Sequence, residues 1–213
     1  MDATVKARPG RRERKALETR RRALAAAETL FVRDGYAATT MTVIAEEADV
    51  AVQTLYAVFG TKRAILTELL EVRIVGDDQG TALKDREDWR AMERETDPRR
   101  QVALLAAIAT RIGGRIAALT EVTAAAAGAD PDIAALYEHQ RQARYKDQRR
   151  IARSLSRKGA LRPRLSEARA ADIVWALVNA RTYRTLVGER RWTTDEYEHW
   201  LADLLACALL ERR

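Results

Sequence analysis

The stretch from Thr39 to Lys62 carries side chains whose chemistry suits a DNA base edge or a phosphate oxygen. Gln53 can form two hydrogen bonds to an adenine edge, and the methyl groups of Val52 and Ala57 can contact a thymine methyl. Hydroxyl and ammonium groups can bind phosphate oxygens, which fix the register of a protein on DNA without reading its sequence. The candidate DNA-binding residues are Thr40, Thr42, Val52, Gln53, Thr54, Tyr56, Ala57 and Lys62.

Two short amphipathic segments joined by a tight turn must position these residues. Ile44, Ala45 and Ala48 share one face of the first segment, and Leu55 and Phe59 share one face of the second, because residues three or four apart stack on a helix. Helices of under three turns do not persist alone, so both must pack on each other and on a third helix. The pattern predicts a helix-turn-helix whose second helix enters the major groove. The alternative is an ordinary small helical subdomain with solvated polar residues.

The spacing of the motif resembles the DNA-binding domain of the tetracycline-repressor (TetR) family over about Leu17 to Leu70. The matching residues are Gly35-Tyr-x-x-Thr39-Thr, Ile44-Ala-x-x-Ala48-x-Val50, Thr54-Leu-Tyr56-x-x-Phe59-x-x-Lys62 and Leu66. The resemblance implies a bacterial regulator that binds a palindromic operator as a dimer. It also implies release of the operator when a small molecule enters the C-terminal domain, with repression as the default because most of the family represses.

Three positions depart from the usual family pattern. Asp49 stands where a glycine is common in the turn, and a left-handed backbone costs an aspartate more than a glycine. Ala51 stands where a serine or threonine often caps the recognition helix, and losing a cap costs about 1 kcal/mol. Val58 stands where a hydrogen-bonding residue often faces phosphate. These departures bear on how tightly this chain binds DNA.

The formal net charge of +7 is concentrated at the N-terminus. Residues 1–22 carry nine lysines and arginines against three acidic residues, which leaves +6 just before the helix-turn-helix. This distribution favours an arm and a first helix that contact DNA phosphates or enter the minor groove. The alternative is a solvated basic tail.

Composition and helix signals predict an all-α fold with four segments. Ala, Leu, Arg and Glu are frequent and Pro and Gly are few, which favours helices throughout. The predicted segments are a flexible basic arm (1–14), a three-helix helix-turn-helix domain (15–60), a connecting helix (61–78) and a helical ligand-binding and dimerisation domain (79–213). The first helix is predicted from Lys15 to Arg33. By the resemblance, the connecting helix transmits the ligand signal.

Start and stop signals divide the C-terminal domain into helices. Asp97-Pro98 and Asp130-Pro131 each begin a long helix, Ser166 begins a third that is predicted to run to Val187, and a capping box from Thr193 to Glu196 begins the last. Gly113-Gly114 lies inside the first long helix, where it either kinks the helix or allows the close approach of a neighbour or ligand. A shorter charged helix is expected between residues 83 and 95.

The second long helix has an apolar stripe that Arg141, Arg144 and Gln148 interrupt. These residues either line a cavity for a polar or anionic ligand or belong to a solvated part of the helix. By periodicity and family analogy, the predicted liners of a pocket for a small hydrophobic effector are Trp89, Ile108, Ile112, Tyr137, Arg141, Trp175 and Asn179. The two C-terminal helices have broad apolar faces, which favours a homodimer held by a four-helix bundle.

Catalytic and metal-binding groups are scarce. His139 and His199 lack metal-ligand spacing, and Cys207 is predicted to be a buried small hydrophobe without a nearby histidine. No phosphate loop or nucleophile elbow occurs, so we expect no enzyme activity, no cofactor and no metal. No uncharged apolar run of eighteen residues and no secretory signal occurs, which favours a cytoplasmic location without membrane contact. The alternatives to a regulator are a sequence-tolerant architectural DNA binder, or a ligand-binding protein whose DNA reading has decayed.

Overall fold

The computed structural model describes residues 10–77 and 82–211, and these ranges are almost entirely helical. The helices are α1 (Arg11–Asp34), α2 (Met41–Glu47), α3 (Val52–Phe59), α4 (Lys62–Val75), α5 (Glu87–Arg94), α6 (Pro98–Ala127), α7 (Pro131–Arg157), α8 (Glu167–Leu177), α9 (Ala180–Tyr183) and α10 (Thr194–Leu209). A 3₁₀ turn spans Leu83–Asp85 and a π-helical turn spans Arg184–Glu189. In the described ranges the β-structure consists of one isolated bridge between Leu161 and Leu210. The all-α prediction is confirmed.

The chain divides into two compact units between Leu69 and Leu70, a boundary that falls inside α4. Helix α4 therefore contributes its first turns to the N-terminal unit and its last turns to the C-terminal unit. The assignment of residues 61–78 as a connecting segment stays a prediction.

The N-terminal unit is built on α1, which begins at Arg11 and not at the predicted Lys15. Residues 11–14 therefore extend the helix instead of belonging to an arm, and residues 1–9 of the predicted arm lie outside the described residues. Helices α1 to α4 supply a shared apolar core. Its fully buried members include Ala23, Ala27, Leu30, Phe31, Ile44, Leu55, Ile65, Leu66 and Leu69.

Helix α6 is the centre of the C-terminal unit, where it packs against α7, α9 and α10, while α8 packs against α7. The core that these helices share includes Met92, Val102, Leu105, Ala106, Ile151, Leu155, Val174, Tyr197, Leu201 and Leu205. Asp97, Asp130 and Ser166 cap α6, α7 and α8 through their side chains, and Thr193 and Glu196 form the predicted capping box of α10.

By length and composition alone, α6 is the one helix of the described residues that could span a membrane. In the structure its apolar residues are instead used for packing inside the C-terminal unit, where Val102, Leu105, Ile108 and Leu119 are buried. Arg111 and Arg115 interrupt its apolar sequence.

The Gly113-Gly114 pair is a site of close helix packing. Helix α6 continues through both glycines, and the ring of Tyr183 lies directly over them. A Cβ atom added at Gly113 would lie 2.9 Å from Cγ of Tyr183, which is closer than real Cβ atoms come. Of the two sequence interpretations, the close approach of a neighbour is confirmed.

The helix predicted to run from Ser166 to Val187 is not continuous, because it breaks at Val178 and Asn179 before helical structure resumes at Ala180. The backbone leaves helical geometry at Val178 (φ −85°, ψ 80°), and the side chain of Asn179 caps the short helix α9 by accepting from the Thr182 amide. The break exposes the carbonyl of Val178, which accepts hydrogen bonds from Arg144 (2.7 Å) and Gln148 (3.4 Å) on α7. Apolar periodicity alone did not reveal this break, because the stripe continues on both sides of it.

The prediction of a buried thiol is also wrong, because Cys207 is exposed on α10. The apolar face of α10 that enters the core contains Tyr197, Leu201, Leu205 and Leu209. Cys207 lies about half a turn away from that face, since each residue advances a helix by about 100°.

Replacing Gly113 by alanine is expected to lower the free energy of unfolding by about 1–2 kcal/mol. An alanine normally stabilises a helix interior relative to glycine, but here its Cβ overpacks the Tyr183 ring. Urea denaturation measures the change. Gly128→Ala is the matched control, because an added Cβ there meets only ordinary contact at 3.6 Å. An equal or greater stability of Gly113→Ala would contradict the close-packing argument.

Candidate nucleic-acid interface and C-terminal cavity

The predicted base-reading residues lie on the surface of the α2–α3 pair. Leu55 on the inner face of α3 is fully buried, whereas Tyr56 is 54% exposed. Gln53, Ala57 and Thr42 are also exposed, and Val52 and Thr54 are half-buried. The core therefore fixes the inner face of α3 and leaves these side chains available to a partner, and their contacts with DNA stay a prediction.

Thr40 also has a structural role, as the N-cap of α2. Its Oγ1 accepts a hydrogen bond from the Val43 amide at 3.2 Å. The neighbouring Thr39 is buried, and its hydroxyl donates to the Gly35 carbonyl at 2.8 Å. These two bonds set the direction in which the chain enters α2 after α1 ends.

The turn between α2 and α3 is a Schellman motif with Asp49 in the left-handed position. The Val50 amide donates to the Ala45 carbonyl, the Asp49 amide donates to the Glu46 carbonyl, and Asp49 has φ +50°. The backbone geometry that usually selects glycine is therefore present at this aspartate.

Arg22 of α1 stabilises that turn from outside. Its Nη2 atom donates to the carbonyl of Ala48 at 2.5 Å, to the carbonyl of Asp49 at 2.8 Å and to the Asp49 carboxylate at 2.8 Å. The guanidinium satisfies carbonyls that the end of α2 leaves unpaired, and cations are favourable at a helix C-terminus. The position of α3 thus depends on an arginine that the sequence assigned to the phosphate-binding tract.

Helix α3 begins without a side-chain cap, as the sequence predicts for Ala51. The Thr54 amide instead donates to the Ala51 carbonyl at 2.9 Å. Val58 is half-buried.

Two further cations of the predicted interface bind groups within the N-terminal unit. Arg20 forms an ion pair with Glu68 of α4 and lies 5.1 Å above the ring of Phe59. The ammonium of Lys62 donates to the carbonyls of Tyr36 (2.6 Å) and Thr39 (2.7 Å) and lies 4.1 Å above the Tyr36 ring. The structure thus gives Lys62 a structural role in joining α4 to the α1–α2 connection, and its phosphate contact stays a prediction.

The predicted effector-pocket residues fall into two separate groups. The first consists of Trp89 on α5 and Ile108 and Ile112 on α6, of which Trp89 and Ile108 are buried. The second consists of Tyr137 and Arg141 on α7, Trp175 on α8 and Asn179, the N-cap of α9. Arg141 is exposed, and helix faces alone do not show which residues meet around one cavity.

The second group is a stack of cations on aromatic rings. The guanidiniums of Arg141 and Arg144 each lie 4.9 Å from the centroid of the Trp175 ring, and Arg141 also lies 5.8 Å from that of Tyr137. Burial lowers the pKa of Arg144, and the nearby Arg141 lowers it further. Of the three residues that interrupt the α7 stripe, Arg141 is solvated, whereas Gln148 is buried and Arg144 is half-buried. Asn179 binds the backbone of its own segment as a cap.

A cavity of about 480 Å³ lies beside the first group, and we call it the α4–α6 cavity. Ligand sites of small molecules commonly have volumes of this order. Its lining residues are Val75, Gly76, Asp77, Leu83, Asp85, Arg86, Glu87, Asp88, Ile108, Arg111, Ile112 and Arg115. Only Ile108 and Ile112 of the predicted liners belong to it. Its charged residues were not among the predicted liners, because they lie between α4 and α5, at the start of α5 and on the polar side of α6.

No group of three or more metal-ligating side chains occurs among residues 10–77 and 82–211. His139 and His199 are exposed, and a ring nitrogen of His199 lies 2.8 Å from the carbonyl of Asp195 on its own helix.

Comparison with known proteins identifies the N-terminal unit. Residues 23–69 match the family model for bacterial regulatory proteins of the tetR family. No curated protein sequence matches the chain.

Solved structures match nearly the whole chain. A transcriptional regulator from Saccharomonospora viridis in complex with choline is 22% identical, with 92% of this chain and 100% of that chain covered at a TM-score of 0.67. FadR from Bacillus subtilis in complex with stearoyl-CoA is 16% identical, with 88% and 98% covered at a TM-score of 0.69. NalD, the secondary repressor of the MexAB-OprM multidrug efflux pump in Pseudomonas aeruginosa, is 19% identical, with 93% and 100% covered at a TM-score of 0.66. These likenesses show that both units have the fold of such regulators.

Replacing Arg22 by glutamine is expected to lower the free energy of unfolding by about 1–2 kcal/mol, because it removes charge-assisted hydrogen bonds to the turn. Thermal and urea unfolding measure the loss. Arg33→Gln is the matched control, since Arg33 of the same helix pairs with its exposed neighbour Asp34 and not with the turn. Unchanged stability of Arg22→Gln would show that the hydrogen bonds from Arg22 to the turn do not stabilise the protein in solution.

Proposed function

Because residues 23–69 match the family model for bacterial regulatory proteins of the tetR family, we propose that the chain represses transcription from a palindromic operator and releases it when a small molecule binds. The observation that carries this proposal is the exposed face of α3. A rigid core fixes the helix, and Gln53, Tyr56 and Ala57 project from its surface. An exposed recognition helix of this kind fits the major groove.

The function requires two copies of the helix-turn-helix. We propose a C₂ dimer whose recognition helices lie about 34 Å apart, one turn of DNA, so that they match two operator half-sites. Half-buried apolar side chains on and beside α10, among them Trp192, Trp200 and Leu204, support an interface through α8 and α10. Such an interface would bury about 2,000 Å².

The effector would bind in the C-terminal unit. Two of the similar structures hold choline and stearoyl-CoA, so this fold accommodates ligands of very different size and charge. The fold therefore does not name the ligand. An effector acts only if it binds the operator-competent and operator-released conformations with different affinity. We propose a cytoplasmic location, where such a regulator meets its DNA.

A second candidate function is architectural DNA binding without sequence choice. The basic N-terminal residues and the missing cap at Ala51 favour it. The intramolecular partners of Arg20 and Arg22 weaken it, because part of the positive charge already stabilises the fold. Salt dependence and sequence preference separate the two functions.

Selection from a random duplex library at about 150 mM salt is expected to enrich an inverted repeat. The specificity ratio over random DNA should be about 10³ or more. Retention of DNA without any enriched sequence would favour the architectural function, and no retention of DNA would contradict both.

Replacing Gln53 by alanine is expected to weaken binding of the enriched site by about 1–3 kcal/mol and to relax preference at one base pair in each half-site. The slope of affinity against salt should not change, because no phosphate contact is lost. Fluorescence anisotropy with labelled duplexes measures both. Gln142→Ala, which changes an exposed glutamine of α7, is the matched control. A loss that is equal on specific and random DNA would argue against base reading by Gln53.

A further inference from the structure

The α4–α6 cavity is lined by three arginines and four carboxylates, and the ion pairs among the described residues leave one of these arginines without a carboxylate. Asp77 pairs with Arg86, and Asp88 pairs with Arg111, all four being lining residues. The two remaining carboxylates of the lining, Asp85 and Glu87, pair with Arg90 and Arg94, which lie outside it. Each acidic group of the cavity wall thus has its own guanidinium.

Arg115 is the cation that remains. Among residues 10–77 and 82–211, no carboxylate pairs with it, and its acceptor is the backbone carbonyl of Ile74 at 3.0 Å. The Nε atoms of Arg115 and Arg86 are buried without a hydrogen-bond partner. A buried donor without an acceptor is costly, and a guanidinium presents its donors in a fork that matches two oxygens of one anion.

The backbone beside Arg115 is shaped to accept this guanidinium. Gly76 has φ +100°, and a Cβ atom there would lie 2.5 Å from Nη1 of Arg115 and 2.9 Å from Cζ. The absence of a side chain at Gly76 therefore makes the space that Arg115 occupies. Burial lowers the pKa of Arg115, the neighbouring positive charges of Arg111 and Arg86 lower it further, and the negative charge of Asp88 only partly opposes these effects. A bound anion would favour the charged guanidinium of Arg115 and so offset the cost of its burial and the repulsion by its neighbouring arginines.

The remaining wall is apolar and contains no aromatic ring. Val75, Leu83, Ile108 and Ile112 supply it. Quaternary ammonium ligands are usually held by aromatic faces, and here every carboxylate is already paired, so a cationic ligand lacks partners. The combination of an apolar wall with one unneutralised guanidinium suits a molecule that has an apolar body and an anionic end.

We propose that the α4–α6 cavity binds an amphipathic organic anion, whose carboxylate or phosphate group pairs with Arg115. This inference rests on the proposed function, since it names the chemical class of the effector. The anion would compete with the Ile74 carbonyl for the same guanidinium. Ile74 belongs to the last turn of α4, so anion binding would remove a hydrogen bond that fixes this end of the helix. Helix α4 begins at Lys62 in the N-terminal unit. A change in the hydrogen bonding of its last turn would therefore be passed along the helix to the unit that is proposed to bind the operator.

The direct test is isothermal titration calorimetry of the full-length chain with ligands that share an eight-carbon tail. Octanoate and octyl phosphate supply the two anionic groups, 1-octanol removes the charge and octyltrimethylammonium reverses it. The variant is Arg115→Gln, and Arg115→Lys keeps the charge but loses the fork. Arg99→Gln is the matched control, because Arg99 is an exposed arginine of the same helix outside the cavity lining.

At least one anion is expected to bind the unmodified chain and Arg99→Gln equally and more tightly than the alcohol or the cation. Binding to Arg115→Gln should be about ten- to hundredfold weaker, as expected for the loss of charge-assisted hydrogen bonds. Arg115→Lys should fall between, and it decides the comparison if thermal unfolding shows that Arg115→Gln is not folded. The preferred anion distinguishes a carboxylate from a phosphate ligand. Equal anion affinity for Arg115→Gln, tighter binding of the cation, or no anion binding to the folded chain would overturn the site.

The second test measures operator affinity with and without the bound anion. We expect the anion to weaken operator binding by the unmodified chain and by Arg99→Gln, but not by Arg115→Gln. Anion binding without any change in operator affinity would overturn the coupling through Ile74 and leave the site intact. If library selection yields no operator, the proposed repressor function fails, while the calorimetry still decides whether the anion site exists.

Discussion

Burial of two very short helices against a long one is the constraint on which the DNA-binding unit depends. Helices α2 and α3 have seven and eight residues, too few to be stable alone, so their geometry comes from the core that Ile44 and Leu55 share with α1 and α4. The same core decides which side of α3 faces solvent. The exposure of the predicted base-reading side chains is therefore a consequence of packing, because the buried face of an eight-residue helix fixes the orientation of the opposite one.

Several cations of the N-terminal unit stabilise the fold through intramolecular contacts. Arg22 closes the left-handed turn at Asp49, Arg20 ties α1 to α4, and Lys62 holds the α1–α2 connection. Each of these cations finds its partner within the same unit. A basic sequence segment therefore overstates the charge that is available to phosphates, because carbonyls at helix ends and nearby carboxylates compete for it.

The C-terminal unit combines tight packing with one imperfectly satisfied polar region. Tyr183 against Gly113 leaves no space between α6 and the segment after α8. Beside the end of α4, in contrast, a cavity persists and Arg115 has a carbonyl where its neighbours have carboxylates. Ligand-responsive proteins need a region whose interactions a ligand can replace at low cost, and a guanidinium held by one backbone carbonyl meets that condition.

The all-α class, the helix-turn-helix, the exposed positions of α3 and most helix starts follow from the local sequence, because capping and apolar periodicity are local properties of the chain. Which helix faces meet depends instead on the packing of the whole fold. In the folded chain the predicted pocket residues form two groups, Cys207 is exposed, and the helix that begins after Ser166 breaks at Val178. Arg22 and Lys62 have hydrogen-bond partners about 25 residues away in the sequence. These outcomes depend on contacts between segments distant in sequence, which the pattern of any one segment does not contain.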